Sequence, residues 1–339
     1  MSSDTRPARK SLYASLAGYA LAAAALYWVF HDVNFPVLKR DIAHVNWLLA
    51  CLGVFIDMGR YFAQSVRWSL LIRPVAKISF GRTFQSLYTG IFLNLILPLR
   101  MGEFARVFLA SRFSGADYPS VFSTIITEYL IDGIWLAAGI GAIALAVPLP
   151  PQVANPARIL GVVVLAAVGA FVFFVLKTKE KVLVSAGTKL WKPLRMLFSF
   201  VGIMRVSIRR IGRSGVFWPA FLISSLDIMF HAVAFWIVLI AYGIHLPLIT
   251  ATAILLFIFV GLVVPNAPSN VGSFQFFCVL GLLAFGVDKT SASGFSVLFF
   301  ILITIPQVVL GWVMFSRSGE RLYDIWGRLA ALKLSMKER

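Results

Sequence analysis

Charged residues are scarce in this sequence. They make up 13% of its 339 residues, whereas a soluble domain usually carries about a quarter. Apolar residues make up 60%, and the mean hydropathy is +0.87. Lipid rather than water must therefore cover most of the surface. Because the apolar runs are too long for the alternating strands of about ten residues found in membrane barrels, we predict an all-α integral membrane protein.

Cysteine and catalytic motifs are also nearly missing. Cys51 and Cys278 are the only cysteines, and both lie within apolar runs, so neither a disulfide framework nor a metal cluster is predicted. The sequence contains no G-x-x-x-x-G-K-[ST] loop, no G-x-S-x-G and no H-E-x-x-H. We therefore expect no cofactor, no metal and no enzymatic activity in this chain.

Acidic residues are few as well: 14 against 31 lysines and arginines, which gives a formal net charge of +17. The basic residues lie between apolar runs, so the positive-inside rule explains them and no nucleic-acid partner is expected. With the N-terminus inside, 23 of them fall in cytoplasmic segments and four in outer loops, namely Lys39, Arg40, Arg158 and Lys289. We predict a protein of the cytoplasmic membrane with both termini in the cytoplasm.

The apolar runs predict a single polytopic domain over residues 1–339, with about six full transmembrane helices and two pairs of shorter helices. The full spans lie at about 11–30, 46–70, 119–147, 157–176, 216–243 and 290–315. The shorter helices lie at about 83–97, 102–113, 248–264 and 272–285. Such pieces reach only about 18–25 Å, less than a hydrocarbon core about 30 Å thick. We therefore predict two re-entrant helical hairpins, at 83–113 and 248–285; short or tilted full spans are the alternative.

Three further segments complete this topology. The basic stretch 177–213 is predicted to be a cytoplasmic amphipathic elbow, and the tail 316–339 another surface helix. The first apolar run has no convincing small-residue cleavage site, and we interpret it as a retained helix rather than a signal peptide.

The two helix breaks resemble each other. Residues 98–104 and 268–274 share the pattern P-x-x-x-G-x-F, and a G-x-D follows each Phe by about eleven residues, at 115–117 and 286–288. The two copies lie in segments of opposite predicted orientation. This indicates an inverted-topology repeat, with a first half at about 46–147 and a second at about 216–315. Chance or shared turn chemistry is the alternative.

Charged residues also occur inside the apolar runs. Four arginines fall at membrane depth, accompanied by Asp57, Glu103, Glu128, Asp132 and Asp227. Each buried charge costs at least a few kcal/mol, so it must face protein, water or a polar ligand. We predict a polar path for a lipid headgroup, and a self-neutralising ion-pair network is the alternative. The candidate path residues are Arg60, Arg67, Asn94, Arg100, Glu103, Arg106, Glu128, Asp132, Asn266, Ser269 and Asn270.

Two features of the membrane-depth charges suggest anion binding and proton transfer. The short helix starting near Gly102 aims free N–H groups at the first break, where Arg100 or Arg106 could hold a phosphate or carboxylate. Asp227 and His231 lie four residues apart on one helix and could relay protons; packing and capping are the alternative.

The first break resembles a known family. The run 97–106, Leu-Pro-Leu-Arg-Met-Gly-Glu-Phe-Ala-Arg, is similar to the P-x-R-x-G-E-x-x-R signature in the membrane domain of the lysylphosphatidylglycerol synthase/flippase family. Glu128 and Asp132 match its following E-x-x-x-D, although Tyr129 stands where an arginine is expected. Arg67-Trp68 also fits the family pattern.

The second break matches a more degraded P-x-x-P-G-G-x-G-x-x-E pattern of the same family. Pro265, Pro268 and Gly272 agree with it. Residues 269–270, Ser-Asn, replace its paired glycines, and Gln275 replaces its acid. These departures leave the headgroup open.

The resemblance implies a lipid-translocating protein with Arg100, Glu103, Arg106, Glu128 and Asp132 along its polar path. The aminoacyl-transferase domain of two-domain relatives does not accompany these spans, so aminoacylation is not expected. The substrate implied is an anionic phospholipid or a polyprenyl-phosphate-linked lipid. An intramembrane lipid-modifying transferase, or a non-transporting accessory subunit of an envelope-lipid synthase, are the alternatives.

The hairpins can be tested by labelling. Single cysteines at positions 94–106 and 265–275, in a chain whose Cys51 and Cys278 are replaced by alanine, should react with an impermeant maleimide in sealed vesicles. The first set should react from the cytoplasmic side and the second from outside, because each break reaches water through its own hairpin. Protection of both sets from both sides would contradict the re-entrant interpretation.

Overall fold

The structure is a computed structural model that describes residues 19–97, 100–146, 192–262 and 268–319, with scattered helical positions between 159 and 173. These residues form helices and contain no strand. Most of the predicted span at 157–176 and most of the predicted tail lie outside the described residues, and so do residues 11–18 of the first predicted span. The same holds for residues 177–191 of the predicted elbow and for Asn266.

Eleven α-helices lie in these four ranges and are numbered in chain order. They are α1 (Tyr19–Phe30), α2 (Phe35–Ala43), α3 (Trp47–Ile72), α4 (Phe80–Ile96), α5 (Gly102–Ser114), α6 (Tyr118–Ala146), α7 (Lys192–Arg213), α8 (Phe217–Tyr242), α9 (Leu248–Gly261), α10 (Ser273–Ala284) and α11 (Lys289–Ser316).

Helices α6, α8 and α11 are each long and apolar enough to cross a membrane. Helices α1 and α2 have this character only together, and they meet at a bend of 86°. Helix α3 is 26 residues long but carries Asp57, Arg60 and Arg67. The protein is thus a multi-pass helical membrane protein, as predicted. The number of spans and the re-entrant character of the hairpins stay predictions.

The sequence analysis missed α2, which lies in the predicted outer loop after the first span. Its start has a local cause, because the side-chain oxygen of Asn34 accepts a hydrogen bond from the N–H of Val37 at 3.3 Å. A proline in the first turn also favours a helix start there.

The two halves of the chain repeat one order of elements. A 26-residue helix, two short helices and a long helix appear as α3–α6 and again as α8–α11. Gly115 and Gly286 follow the second short helix in the left-handed conformation, with φ of 71° and 81°. Asp117 and Asp288 then accept hydrogen bonds at 3.0 Å from backbone N–H groups in the first turn of the long helix. In each copy of the repeated G-x-D, the glycine therefore ends the short helix and the aspartate caps the start of the long helix.

The two halves also contact each other in equivalent ways. Gly139 of α6 lies against Leu256 of α9, while Gly311 of α11 lies against Phe92 of α4. Each first short helix thus packs on the long helix of the other half, at a glycine placed similarly along it. Between these contacts α3 packs closely against α8, where Gly53 allows the backbone of α8 to approach.

Helix α5 folds back on α4, and Gly90 and Gly102 lie where the two helices come closest. A methyl group on Gly102 would overlap the carbonyl oxygen of Gly90, and it would lie 2.6 Å from the backbone nitrogen of Asn94. Glycine is therefore required at this crossing, and the crossing fixes where α5 begins.

Substituting Gly102→Ala should lower the free energy of unfolding by about 1–3 kcal/mol, the usual cost of overpacking. Thermal unfolding of the purified protein in detergent would measure the loss. Gly81→Ala is the matched control, since no atom lies within 4 Å of the added methyl; it should be neutral or stabilising because alanine favours helix. Equal stability of both variants would contradict the close crossing.

Candidate functional site

The centre of the charged region is a carboxylate held by two guanidinium groups. Glu128 of α6 accepts a hydrogen bond from Nη2 of Arg67, on α3, and another at 2.6 Å from Nη2 of Arg106, on α5. The three residues are only 3–5% exposed. In such a dry environment the charges can persist because each has a partner of opposite sign.

One end of this network crosses into the second half of the chain. Nη1 of Arg67 donates to Oδ1 of Asp132 at 2.5 Å and to Oγ of Ser224, on α8, at 3.1 Å. The Asp132 side chain is 43% exposed, in contrast to the buried Glu128. Asp132 therefore lies at the exposed edge of the network, which we call its rim.

The other end approaches the first break. The Arg106 guanidinium lies 3.8 Å over the Trp68 ring, a cation–π contact. Its Nη1 is 3.8 Å from Oε2 of Glu103. The opposite oxygen of Glu103 accepts hydrogen bonds from Asn94 at 3.1 Å and from the Tyr129 hydroxyl at 2.8 Å. Tyr129, which replaces the expected arginine, thus still donates to the neighbouring acid.

The second break contacts the end of α4, just before the first break. Oγ of Ser269 donates to the carbonyl oxygen of Leu95 at 2.6 Å, which joins the second break to the end of α4. Arg100 in the first break and residues 269–270 in the second have φ of 54–59°, a left-handed conformation that is unusual outside glycine. The predicted similarity of the breaks therefore extends to their backbone.

The helix starts after the breaks differ in their capping. At α10 the N–H of Gly272 donates to Oε1 of Gln275 at 2.8 Å, so this amide does what the expected acid would do. At α5 the residue before the helix, Met101, makes no capping hydrogen bond with its side chain. Arg100 is exposed and forms no ion pair within the part of the chain that the structure describes. The start of α5 therefore combines backbone N–H groups that the Met101 side chain does not cap with the exposed guanidinium of Arg100.

A second cluster joins α3 to α8. Arg60 donates from Nε to Oδ1 of Asp227 at 3.2 Å, and Gln64 donates to the same oxygen at 3.0 Å. Nη1 of Arg60 lies 2.6 Å from Nδ1 of His231 and 3.5 Å from Oδ1 of Asp57. Nδ1 of His231 is also 2.6 Å from that Asp57 oxygen. Arg60 thus connects the two residues of the predicted proton relay.

Comparison with known proteins now decides the family. The family described as lysylphosphatidylglycerol synthase TM region matches residues 15–311. The chain belongs to this family. The predicted resemblance is thereby confirmed, and a membrane lipid-related function follows at the level of the family. The region that defines it is a membrane domain and is not itself a catalytic domain.

Similarity to individual proteins is weaker. A UPF0104 membrane protein of Pyrococcus horikoshii is 27% identical over 124 residues, which cover 34% of this chain and 35% of that protein. The match therefore spans about a third of the length of this relative. No solved structure is significantly similar to the chain.

The family motifs and the structure agree on which residues lie together. The first-break signature and the E-x-x-x-D form one connected network through Glu103, Arg106, Glu128 and Asp132. Arg67 joins this network, whereas Arg60 belongs to the second cluster. The buried members of the set neutralise one another, whereas Arg100 and the Asp132 side chain are accessible. The headgroup path itself stays a prediction.

Several contributing residues were not among the sequence candidates. Asp57 was noted only as an acidic companion, although its spacing of three from Arg60 pointed to contact. Trp68 had a signal in the Arg-Trp pair of the family. Gln64 had a signal in its spacing, since it lies four residues after Arg60 and three before Arg67 on one stripe of the helix. Ser224 had none, since a small polar residue on an apolar helix is usually bonded to its own backbone.

Replacing Glu128 tests how far the structure depends on the network. Glu128→Gln should lower the free energy of unfolding by about 3–5 kcal/mol, because two buried arginines lose their shared counter-charge. Denaturation of the purified protein in detergent measures this. Asp132→Asn is the control and should cost less, since its side chain is 43% exposed. A larger loss for Asp132→Asn than for Glu128→Gln would show that the arginines rely on another partner.

Proposed function

We propose that this chain is a transporter that moves a polar or anionic lipid headgroup across the cytoplasmic membrane, with both termini in the cytoplasm. The observation that supports this most directly is the contact of the second helix break with the end of α4, which adjoins the first break and the charged network. Irregular backbone at membrane depth is tolerated where it is buried in protein or lines a polar cavity. Family membership supports a lipid as the substrate.

The start of α5 is suited to the phosphate of such a headgroup. Its first N–H groups carry the positive end of the helix dipole, and Met101 does not cap them. The exposed guanidinium of Arg100 adjoins them in the chain, and arginine binds phosphate oxygens in a bidentate manner. Phospholipids and polyprenyl-phosphate-linked lipids share this group, so both are candidate substrates.

The rim and the buried network have different tasks in this proposal. Asp132 and Tyr129 are accessible enough to meet hydroxyl or amine groups of the headgroup. The buried trio of Arg67, Arg106 and Glu128 fixes α3, α5 and α6 around the path. The tails of the lipid need no pocket, because they remain in the bilayer while the headgroup passes.

The repeated halves supply a means of alternating access. In transporters with inverted repeats, one half moves against the other around a central site. Here each hairpin packs on the long helix of the opposite half at Gly139 and Gly311. A shift of one half would therefore move both hairpins together and expose the breaks to either side in turn.

Reconstituted liposomes test the transport activity. The purified protein should move fluorescent anionic phospholipids or polyprenyl-phosphate-linked lipids between leaflets. Arg100→Ala should slow this about tenfold or more, the effect of losing one hydrogen bond to a charged group. Arg40→Ala, another exposed arginine, is the matched control and should leave the rate unchanged. Equal rates for both variants would argue against phosphate binding at the first break.

Two other outcomes would identify the alternatives. A covalently altered lipid formed in detergent micelles, where no second compartment exists, would indicate a transferase. Absence of lipid movement, together with loss of an envelope lipid only when a co-purifying synthase is lost, would indicate an accessory subunit.

A further inference from the structure

The imidazole of His231 has two competing partners at one atom. Its Nδ1 lies 2.6 Å from Nη1 of Arg60 and 2.6 Å from Oδ1 of Asp57. His231 and Asp57 are both 2% exposed, and the ring stacks on Phe259 at 5.6 Å. Bulk water therefore cannot replace whichever partner is left without a hydrogen bond.

A single nitrogen cannot satisfy both partners. If Nδ1 carries a proton it donates to Asp57, but then its N–H faces the N–H of Arg60. If Nδ1 is unprotonated it accepts from Arg60, but then its lone pair faces the Asp57 carboxylate. In a neutral ring the tautomer decides which of the two partners Nδ1 serves. A proton added to the imidazole removes that choice, because both ring nitrogens then carry N–H groups. A bound proton therefore fixes Nδ1 as a donor to Asp57 and breaks its contact with Arg60.

The charges of the cluster point the same way. Arg60 has two carboxylates around it, Asp57 at 3.5 Å and Asp227 at 3.2 Å. One added proton makes the group neutral, whereas without it a net negative charge remains at a largely buried position, which is costly. The other ionisable groups facing Arg60 are Tyr61 on α3 and Tyr88 on α4, and Asp227 also faces Arg67 and Asp132. Arg67 is the one further positive charge among these groups, and Glu128 and Asp132 already neutralise it.

The position of the cluster links it to movement of the two halves. Asp57 and Arg60 lie on α3, the first helix of one half, and Asp227 and His231 on α8, the first helix of the other. The Asp227 side chain is 20% exposed and shares Arg60 with His231, so it offers a route for a proton from water. Any change of partner at Nδ1 alters the contact between the halves.

We propose that Asp57, Arg60 and His231 form a proton-binding site that couples proton movement to lipid transport. This inference rests on the proposed transport function. A proton taken from one aqueous side by way of Asp227 charges the imidazole, whose Nδ1–H then donates to Asp57. Arg60 leaves Nδ1 and keeps its bond to Asp227. Release of the proton to the other side restores the contact of Arg60 with His231.

Solid-state NMR of the full chain in liposomes, labelled with ¹⁵N-histidine, tests the site without requiring transport. The chain has four histidines, and the signal lost in His231→Gln identifies the one in the cluster. It should change from the neutral to the protonated form between about pH 5 and 8, the range open to histidine. The protonated signal should be lost over that range in Asp57→Asn. An imidazole that keeps one form throughout, or that ignores Asp57→Asn, would overturn the proposal.

A transport assay then tests coupling. An imposed pH gradient should accelerate lipid movement in the wild type and in His245→Gln, an exposed control whose Nδ1 contacts only the Gly243 carbonyl among the described residues. It should have no effect in His231→Gln, where movement down a lipid gradient persists. Equal stimulation of both variants would overturn the coupling. If the folded yield of His231→Gln falls, Asp57→Asn serves as the second variant.

The two proposals can fail separately. If the wild type moves no lipid under any gradient, the transport function is wrong, and the imidazole titration alone then supports or overturns the proton site. If lipid moves but His231 does not titrate, the transport function stands and the proton site is wrong.

Discussion

Pairing of charges inside a dry helix bundle is the constraint from which the arrangement of the first half follows. Glu128 on α6 needs both Arg67 on α3 and Arg106 on α5, because an unpaired ion in this environment costs several kcal/mol. Three helices must therefore keep their relative positions. Helix α5 has only 13 residues, and the pair formed by Arg106 anchors it. Arg100, two residues before α5, is consequently brought beside the network.

Local turn chemistry explains why much of the fold could be predicted from sequence. Gly115 and Gly286 supply the left-handed backbone after a short helix, and Asp117 and Asp288 cap the next one. These effects act within a few residues, so the sequence alone reveals them. The short helix α2 escaped because nine residues are too few for a clear apolar period. The way the halves pack through glycines depends on tertiary contacts that periodicity does not encode.

The site was predictable to the extent that its residues share a helix face. Glu128 and Asp132, four apart, do reach the same guanidinium of Arg67, and the spacing predicted their common direction. Which arginine they meet was not predictable, since Arg67 is far away in sequence and its choice depends on how α3 crosses α6. Ser224, in the second half, accepts a further hydrogen bond from the same guanidinium. No sequence pattern distinguishes this serine from other serines on apolar helices.

The two departures from the family pattern have a common physical character. Tyr129 stands in place of an arginine and still donates a hydrogen bond to Glu103. Gln275 stands in place of an acid and still accepts one from the N–H of Gly272. Each replacement keeps the donor or acceptor and removes the charge, one positive and one negative. Each replacement thus keeps a hydrogen bond at its break, while the total charge of the region is unchanged. What differs is the charge at each break, which loses a positive charge at the first and a negative charge at the second. If the proposed transport function is right, the departures bear on the distribution of charge in the headgroup.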